Sequence, residues 1–207
     1  METQNKIDTK KTAILVIDIQ KDFCSPQGFG AKNWGHDVSH FDEIIEKIID
    51  FTRQAEERGA SVLYTQLIYD PEKMPKSIAK KLGSFTGKYM APGIEGINFY
   101  KINPPKDKVF VKHTFSAFSN KDLINYLKEQ GIENIYVIGF NSNICVEATA
   151  RHSVDLGFHT TIIKDLTSTP TFFQVHEEQT LTTFSLLFGD VKDSEEIIKS
   201  FNKQDDI

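Results

Sequence analysis

Cysteine is scarce: Cys24 and Cys145 are the two thiols in 207 residues. Two are too few for a disulfide framework, and they show no zinc-ligand spacing. Long apolar runs are missing as well. The longest, Ala13 to Ile17, falls far short of the roughly 20 residues that cross a bilayer. Positive charge is not in excess, since 24 Lys and Arg stand against 29 Asp and Glu for a net charge of −5, and no basic cluster overrides that balance. This argues against nucleic acid or an anionic membrane surface as a partner. The opening segment, METQNKIDTKK, is polar and lacks the apolar core of a secretory signal. Internal repeats, linkers and low-complexity segments are absent. With 39 % apolar and 26 % charged residues, the chain has the composition of one ordinary globular domain over 1–207. Its length allows one well-buried core and makes two unlikely to fit. We expect a cytoplasmic protein with reduced thiols.

What is present alternates between two periods. TAILVID is a short solid apolar run, as in a strand buried on both faces of a parallel sheet. HFDEIIEKIIDFTRQAEERG then places apolar residues near helical spacing and stops at Gly59. ASVLYTQLI reads as a second strand. Residues 70–107 are rich in Lys, Gly and Pro, too long for a connector, and so predict a functional excursion. KVFVKH is a third strand, followed by the helix NKDLINYLKEQG with Asn120 as its N-cap. ENIYVIGF, HTTIIKD and a short run before DSEEIIKSF supply three more strands, with helices between them. Strand–helix alternation of this kind predicts an α/β domain with a mostly parallel sheet and right-handed crossovers.

In such sheets the site lies beyond the carboxyl ends of the strands. Three strand ends carry distinctive polar residues: Asp18 after the first strand, Lys112 at the end of the third, and Cys145 after the fourth, through GFNSN. Ser142 or Asn143 can cap the helix that follows, which puts Cys145 in its first turn. There free amides and the helix dipole favour a thiolate, and a nearby ammonium lowers the thiol pKa further. A carboxylate beside the sulfur can take its proton and return it to a leaving amine. Backbone amides of the Asn141–Cys145 turn can hold a developing oxyanion. Taken singly, each residue has an ordinary use: an apolar-flanked cysteine is usually packing, and Asp or Lys at a strand end usually faces solvent.

Together the segments AILVIDIQKDF, VFVKHTFSAF and VIGFNSNICVEATARHSVDLGF closely resemble the cysteine hydrolases of the isochorismatase-like superfamily, in order from about Lys11 to Phe201. That group includes nicotinamidases, N-carbamoylsarcosine amidohydrolases, ureidoacrylate amidohydrolases and isochorismatases. The resemblance implies a Rossmann-like three-layer sandwich with a six-stranded parallel sheet of order 3-2-1-4-5-6 and helices on both faces. It also implies Asp18 as general acid/base, Lys112 as the cation beside the thiolate, and Cys145 as the nucleophile of a thioester route. The amides of Asn141 and Cys145 become the oxyanion hole, next to a cis peptide at Phe140–Asn141. Members usually associate, so a homo-oligomer, dimer or tetramer, is expected around a small-molecule substrate.

Departures from the family pattern sharpen this. Nicotinamidases carry an Asp-x-His and a further His after the second strand to bind a metal; YTQLIYDPEKMPK has Asp70 and no histidine, so neither a metal nor a cofactor is expected. Asn143 stands where an aspartate is common. A branch with aspartate in place of the cysteine hydrolyses the vinyl ether of isochorismate; Cys145 favours C–N hydrolysis and leaves the vinyl ether reaction as the alternative. A redox sensor built on Cys145 is the third reading, and it has no use for Asp18 as a proton carrier. For the pocket, Gln20 is expected to orient substrate, and Phe23, Phe29, Trp34, Phe115 and Phe118 to wall it, with core packing as their ordinary use. Cys24, near the same loop, is a candidate for an exposed, oxidisable thiol, but it lacks a helix start or a cation at fixed spacing, and its role is left open.

Overall fold

A computed structural model describes residues 7–201 of the chain. Residues 1–6 of the polar opening segment and 202–207 lie outside the described residues. The elements in chain order are β1 (Thr12–Ile17), α1 (Lys21–Cys24), α2 (Phe29–Trp34), α3 (Phe41–Glu57), β2 (Ser61–Leu67), α4 (Lys76–Leu82), β3 (Val109–Lys112), α5 (Lys121–Glu129), β4 (Asn134–Phe140), α6 (Glu147–Asp155), β5 (His159–Ser168), α7 (Gln174–Leu187), β6 (Asp190–Lys192) and α8 (Ser194–Ser200). The strands form one parallel sheet of order β3-β2-β1-β4-β5-β6, the order the resemblance implied.

Strand alternation divides the core. Every residue of β1 is buried. Ile14 and Val16 face the layer containing Phe41, Ile45 and Ile48 of α3. Ala13, Leu15 and Ile17 face the layer built from Leu123 and Leu127 of α5, Ala150 of α6 and Phe184 of α7. A central strand covered on both faces has no polar side to show, hence the solid apolar run. Each fully buried Ile, Leu or Phe contributes about 1.5–3 kcal/mol. The spacing Phe41, Ile45, Ile48, Thr52, Ala55 keeps one stripe of α3 on the sheet, and Ile49 on its far side is exposed. Asn120 caps α5, accepting from the Asp122 and Leu123 amides.

Two features depart from the sequence-based expectation. β5 runs on past Asp165 to Ser168, with a register shift against β4 between Val137 and Gly139. Gly139 has φ 107°, and a Cβ there would run into the Ile17 carbonyl, so only glycine lets β4 pass β1 this closely. Residues 70–107 contain α4 and several 3-10 turns and build a third apolar cluster around Leu67, Tyr69, Tyr89 and Met90. That cluster forms one side of the crevice above the carboxyl ends of β1, β2 and β3.

Candidate active site

Asp18 follows β1 directly and holds a left-handed backbone, φ 50°, that a non-glycine residue seldom adopts. Thr65, a buried hydroxyl on β2, secures it. Its Oγ1 accepts from the Asp18 amide at 3.2 Å and donates to Asp18 Oδ1 at 2.7 Å. Across the crevice Lys112 ends β3 and sets its Nζ 2.7 Å from Asp18 Oδ2, with both side chains fully shielded from solvent. The ammonium donates hydrogen bonds to the Thr114 carbonyl (3.1 Å) and the Phe115 carbonyl (2.8 Å). Burial works against the Lys112 charge, but Asp18 and Cys145 outweigh it and hold its pKa above the ordinary lysine value. At 2.7 Å the two form a buried salt bridge, and each member depends on the other, because an unpaired buried charge costs several kcal/mol.

Cys145 completes the group. It follows β4 in a π-turn, Ser142–Val146, and α6 begins only at Glu147. Neither Ser142 nor Asn143 caps this turn: Asn143 Oδ1 accepts from Thr169 Oγ1, and Ser142 Oγ is buried without a partner among the described residues. The expected thiolate is corrected accordingly. Burial is the largest influence on the thiol, Lys112 pulls its pKa down, Asp18 pushes it up, and the result lies at about 12. The resting sulfur is a neutral S–H beside a carboxylate–ammonium pair. The Phe140–Asn141 peptide is cis, and the Asn141 amide finds no backbone acceptor among the described residues.

A cavity of about 290 Å³ opens over Cys145 and Asn141. Phe23, Trp34 and Phe115 line it as expected pocket walls. Three pocket assignments are corrected. Gln20 is fully buried and ties strand to excursion: its carboxamide donates to the Leu67 and Ile97 carbonyls and accepts from the Leu67 amide, so it has no free group for substrate. Phe118 lies in the core against Phe158, because Ser116 caps a 3-10 turn that turns the ring inward. Phe29 sits behind the wall, edge-on to Trp34 and Phe85. Cys24 is corrected as well, being wholly buried with its thiol pKa raised far above the ordinary value by desolvation. Sequence reasoning missed His36, Tyr69, Tyr89 and Phe173 on the cavity. Tyr69 carried a signal, an aromatic just past a strand's carboxyl end; Tyr89 carried none. A larger groove of about 1130 Å³ lies at the amino-terminal end of the sheet beside Asn134 and His159, away from these strand ends.

A nicotinamidase-type metal does not fit the loop after β2. Asp70 gives its carboxylate to Lys73 at 3.1 Å and to the Glu72 amide. The nearby His113 turns Nδ1 to the Ile68 carbonyl at 2.7 Å. Among the described residues no group of three or more His, Cys, Asp or Glu could hold a metal ion, and no helix is long and apolar enough to cross a membrane.

The fold and this crevice define a doubly wound α/β protein whose site sits at the carboxyl ends of β1, β3 and β4. More narrowly, the Isochorismatase domain matches residues 12–196, and the chain belongs to the isochorismatase family of hydrolases. A ureidoacrylate amidohydrolase of Caulobacter segnis is 29 % identical over 177 residues, which cover 78 % of this chain and 74 % of that protein. The crystal structure of a cysteine hydrolase from Pseudomonas syringae pv. phaseolicola superposes with a TM-score of 0.82 at 23 % identity, covering 95 % of this chain and 94 % of the other. Pyrazinamidase of Pyrococcus horikoshii in complex with zinc has the same fold, with a TM-score of 0.72 at 24 % identity over 88 % of this chain and 99 % of its own.

Proposed function

We propose that the protein is a cysteine amidohydrolase that cleaves a C–N bond of a small amide, ureide or carbamoyl compound through a thioester on Cys145. The observation that carries this reading is the fully buried Asp18–Lys112 ion pair acting on the one thiol that faces the cavity. Burial raises the Cys145 thiol above its ordinary pKa, which favours the protonated sulfur at neutral pH. Proton removal must therefore accompany attack, and Asp18 is the group placed for it.

As sulfur bonds to the carbonyl carbon, Asp18 takes the S–H proton and the carbonyl electrons move to oxygen. The amides of Asn141 and Cys145 receive that oxyanion. Asp18 then passes the proton to the departing nitrogen, the C–N bond breaks, and the thioester remains. Water attacks next, Asp18 takes its proton, and the collapsing intermediate releases the acid and restores the thiol. Lys112 holds the Asp18 carboxyl in place through these proton transfers and balances its charge whenever it is ionised. The amidohydrolase name of the Caulobacter relative supports C–N chemistry. The poor fit of the Asp70 loop to a metal supports a metal-independent route. The composition and the family resemblance are what support the further proposal of a cytoplasmic homo-oligomer.

Hydroxylamine added during turnover of a cleaved amide is expected to divert the acyl group to a hydroxamate. Rapid quench should give an intact mass of protein plus acyl, mapping to the Cys145 peptide. Turnover with neither product, or a Cys145→Ala variant that keeps its activity, overturns the thioester route.

A further inference from the structure

We infer that the outward face of α7 is the surface on which a second copy of this chain docks, the two helices packing antiparallel about a twofold axis so that Val175 of each meets Leu186 of the other. The homo-oligomer proposed above leaves its interface unnamed; this inference names the face, the symmetry and the register.

The four most exposed large apolar side chains among the described residues all belong to this helix and the turn before it. They are Phe172 at 78 %, Val175 at 63 %, Leu186 at 75 % and Leu187 at 74 %, whereas no other reaches more than 42 %. The helix does not lack an inward face: Thr180 and Phe184 are buried, and Leu181 and Phe188 pack on the same layer of the core. The outward apolar residues therefore form a second stripe. Val175 and Leu186 stand three turns apart on one side of the helix, with the exposed Gln179 and Thr182 between them at the alternating four- and three-residue spacing of a helix–helix seam.

Charge separates this face from the other surface helices. On α3 the exposed side carries ion pairs, Glu43 with Lys47 and Arg53 with Asp50 and Glu57. The α7 helix has no Lys or Arg, and after Glu178 no acidic or basic residue follows until Asp190, in a chain that is 26 % charged. Depletion of charge around exposed apolar side chains marks the core of a protein interface. A helix that lies on a membrane lines its polar face with Lys and Arg instead.

The stripe is also complementary to itself. Turned end for end about the midpoint of α7, between Thr180 and Leu181, it presents Val175 to Leu186 and Gln179 to Thr182. Apolar residues meet at both ends and uncharged polar ones in the middle, as an isologous contact requires. Parallel pairing would set the two Glu178 carboxylates level with each other; antiparallel pairing staggers them. Phe172 carries the patch toward the cavity, since its ring lies edge-on at 5.0 Å to Phe173, which lines it. A docked copy would brace that wall from outside.

Light scattering after size exclusion, run across the micromolar range, tests this on the full chain. The wild type is expected at an even multiple of 23.5 kDa. Val175→Lys and Leu186→Glu each place two uncompensated charges in the twofold contact, and each should weaken association about tenfold or more with the far-ultraviolet circular dichroism unchanged. An equimolar mixture of the two variants should regain the wild-type mass. In the mixed pair one lysine faces one glutamate, and the other half of the contact keeps Val175 against Leu186. A wild type that is monomeric or an odd multiple, single variants that associate as the wild type does, or a mixture that stays apart overturns the inference. So does a wild-type monomer that sediments with phosphatidylcholine vesicles, which would assign the face to lipid. Each of these results leaves the role of Cys145 standing, because hydrolysis is read separately.

Discussion

Replacing Lys112 with methionine keeps an unbranched stem of nearly the same length and removes the ammonium. Asp18, wholly buried 2.7 Å from that ammonium, would keep Thr65 and lose its counter-charge. The Thr114 and Phe115 carbonyls would lose a donor as well. Breaking a buried pair in this way costs about 3–5 kcal/mol, a large part of the about 5–15 kcal/mol that holds a typical domain together. For a chain of this size each kcal/mol moves Tm by about 2–4 °C, so a fall of about 6–20 °C is expected. Urea unfolding followed by Trp34 emission and far-ultraviolet circular dichroism gives the free energy. If the loss comes from an orphaned carboxylate, Asp18→Asn in the Lys112→Met background should recover part of it. The double-mutant cycle should then show coupling of about 2 kcal/mol or more. A single-variant loss below about 1 kcal/mol, or strictly additive effects, would refute the view that the two charges are held by each other.

Stability should fall as pH rises from about 9 toward 12, because both thiols have folded-state pKa values raised by burial while the unfolded chain ionises near 9. Their stabilising contribution is complete below that unfolded value; each adds a slope of at most about 1.4 kcal/mol per pH unit, and Cys24→Ala should flatten the curve in pH-dependent urea melts. The same variant should retain hydrolysis, since Cys24 is closed off from the cavity, whereas Cys145→Ala should lose it. Asp22→Ala should cost about 2–3 kcal/mol, because the buried carboxylate accepts from the Phe29 amide at 3.1 Å and the Met90 amide at 3.2 Å and no other group replaces it. Gly96→Ala should be comparably damaging in the same melts, its Cβ overlapping that carboxylate. Exhaustive chelation should leave turnover unchanged; loss that zinc or iron restores would disprove the metal-independent route.

Much of this was legible in the chain before any folding. The run Thr12–Ile17 is apolar at every position because its strand is covered on both faces, and that pattern alone announces a central parallel strand. Asp18, Lys112 and Cys145 stood out because parallel strands deliver their carboxyl ends to one side of the sheet, so polar residues at the ends of β1, β3 and β4 can meet in one crevice. Asn120 could be read as a cap because capping is local, settled within three residues. The cis peptide at Phe140–Asn141 and the strand order came through resemblance, not periodicity.

Everything settled at long range escaped the sequence. Gln20 lies one alternation from Asp18, but whether its amide faces substrate or the Leu67 and Ile97 backbone depends on where residues 70–107 fold back. The state of Cys145 is the clearest case. A helix start and a neighbouring lysine predict a thiolate from local rules, yet desolvation outweighs both once the crevice closes over the sulfur. Burial depends on every element that covers a group, and no stretch of residues near Cys145 records it. Tyr89 is the same lesson from the other side, brought to the cavity by a segment whose composition says only that it turns. The chain by itself determines which groups stand at the strand ends; the tertiary structure decides which of them meet, which are shielded from water, and so which proton moves.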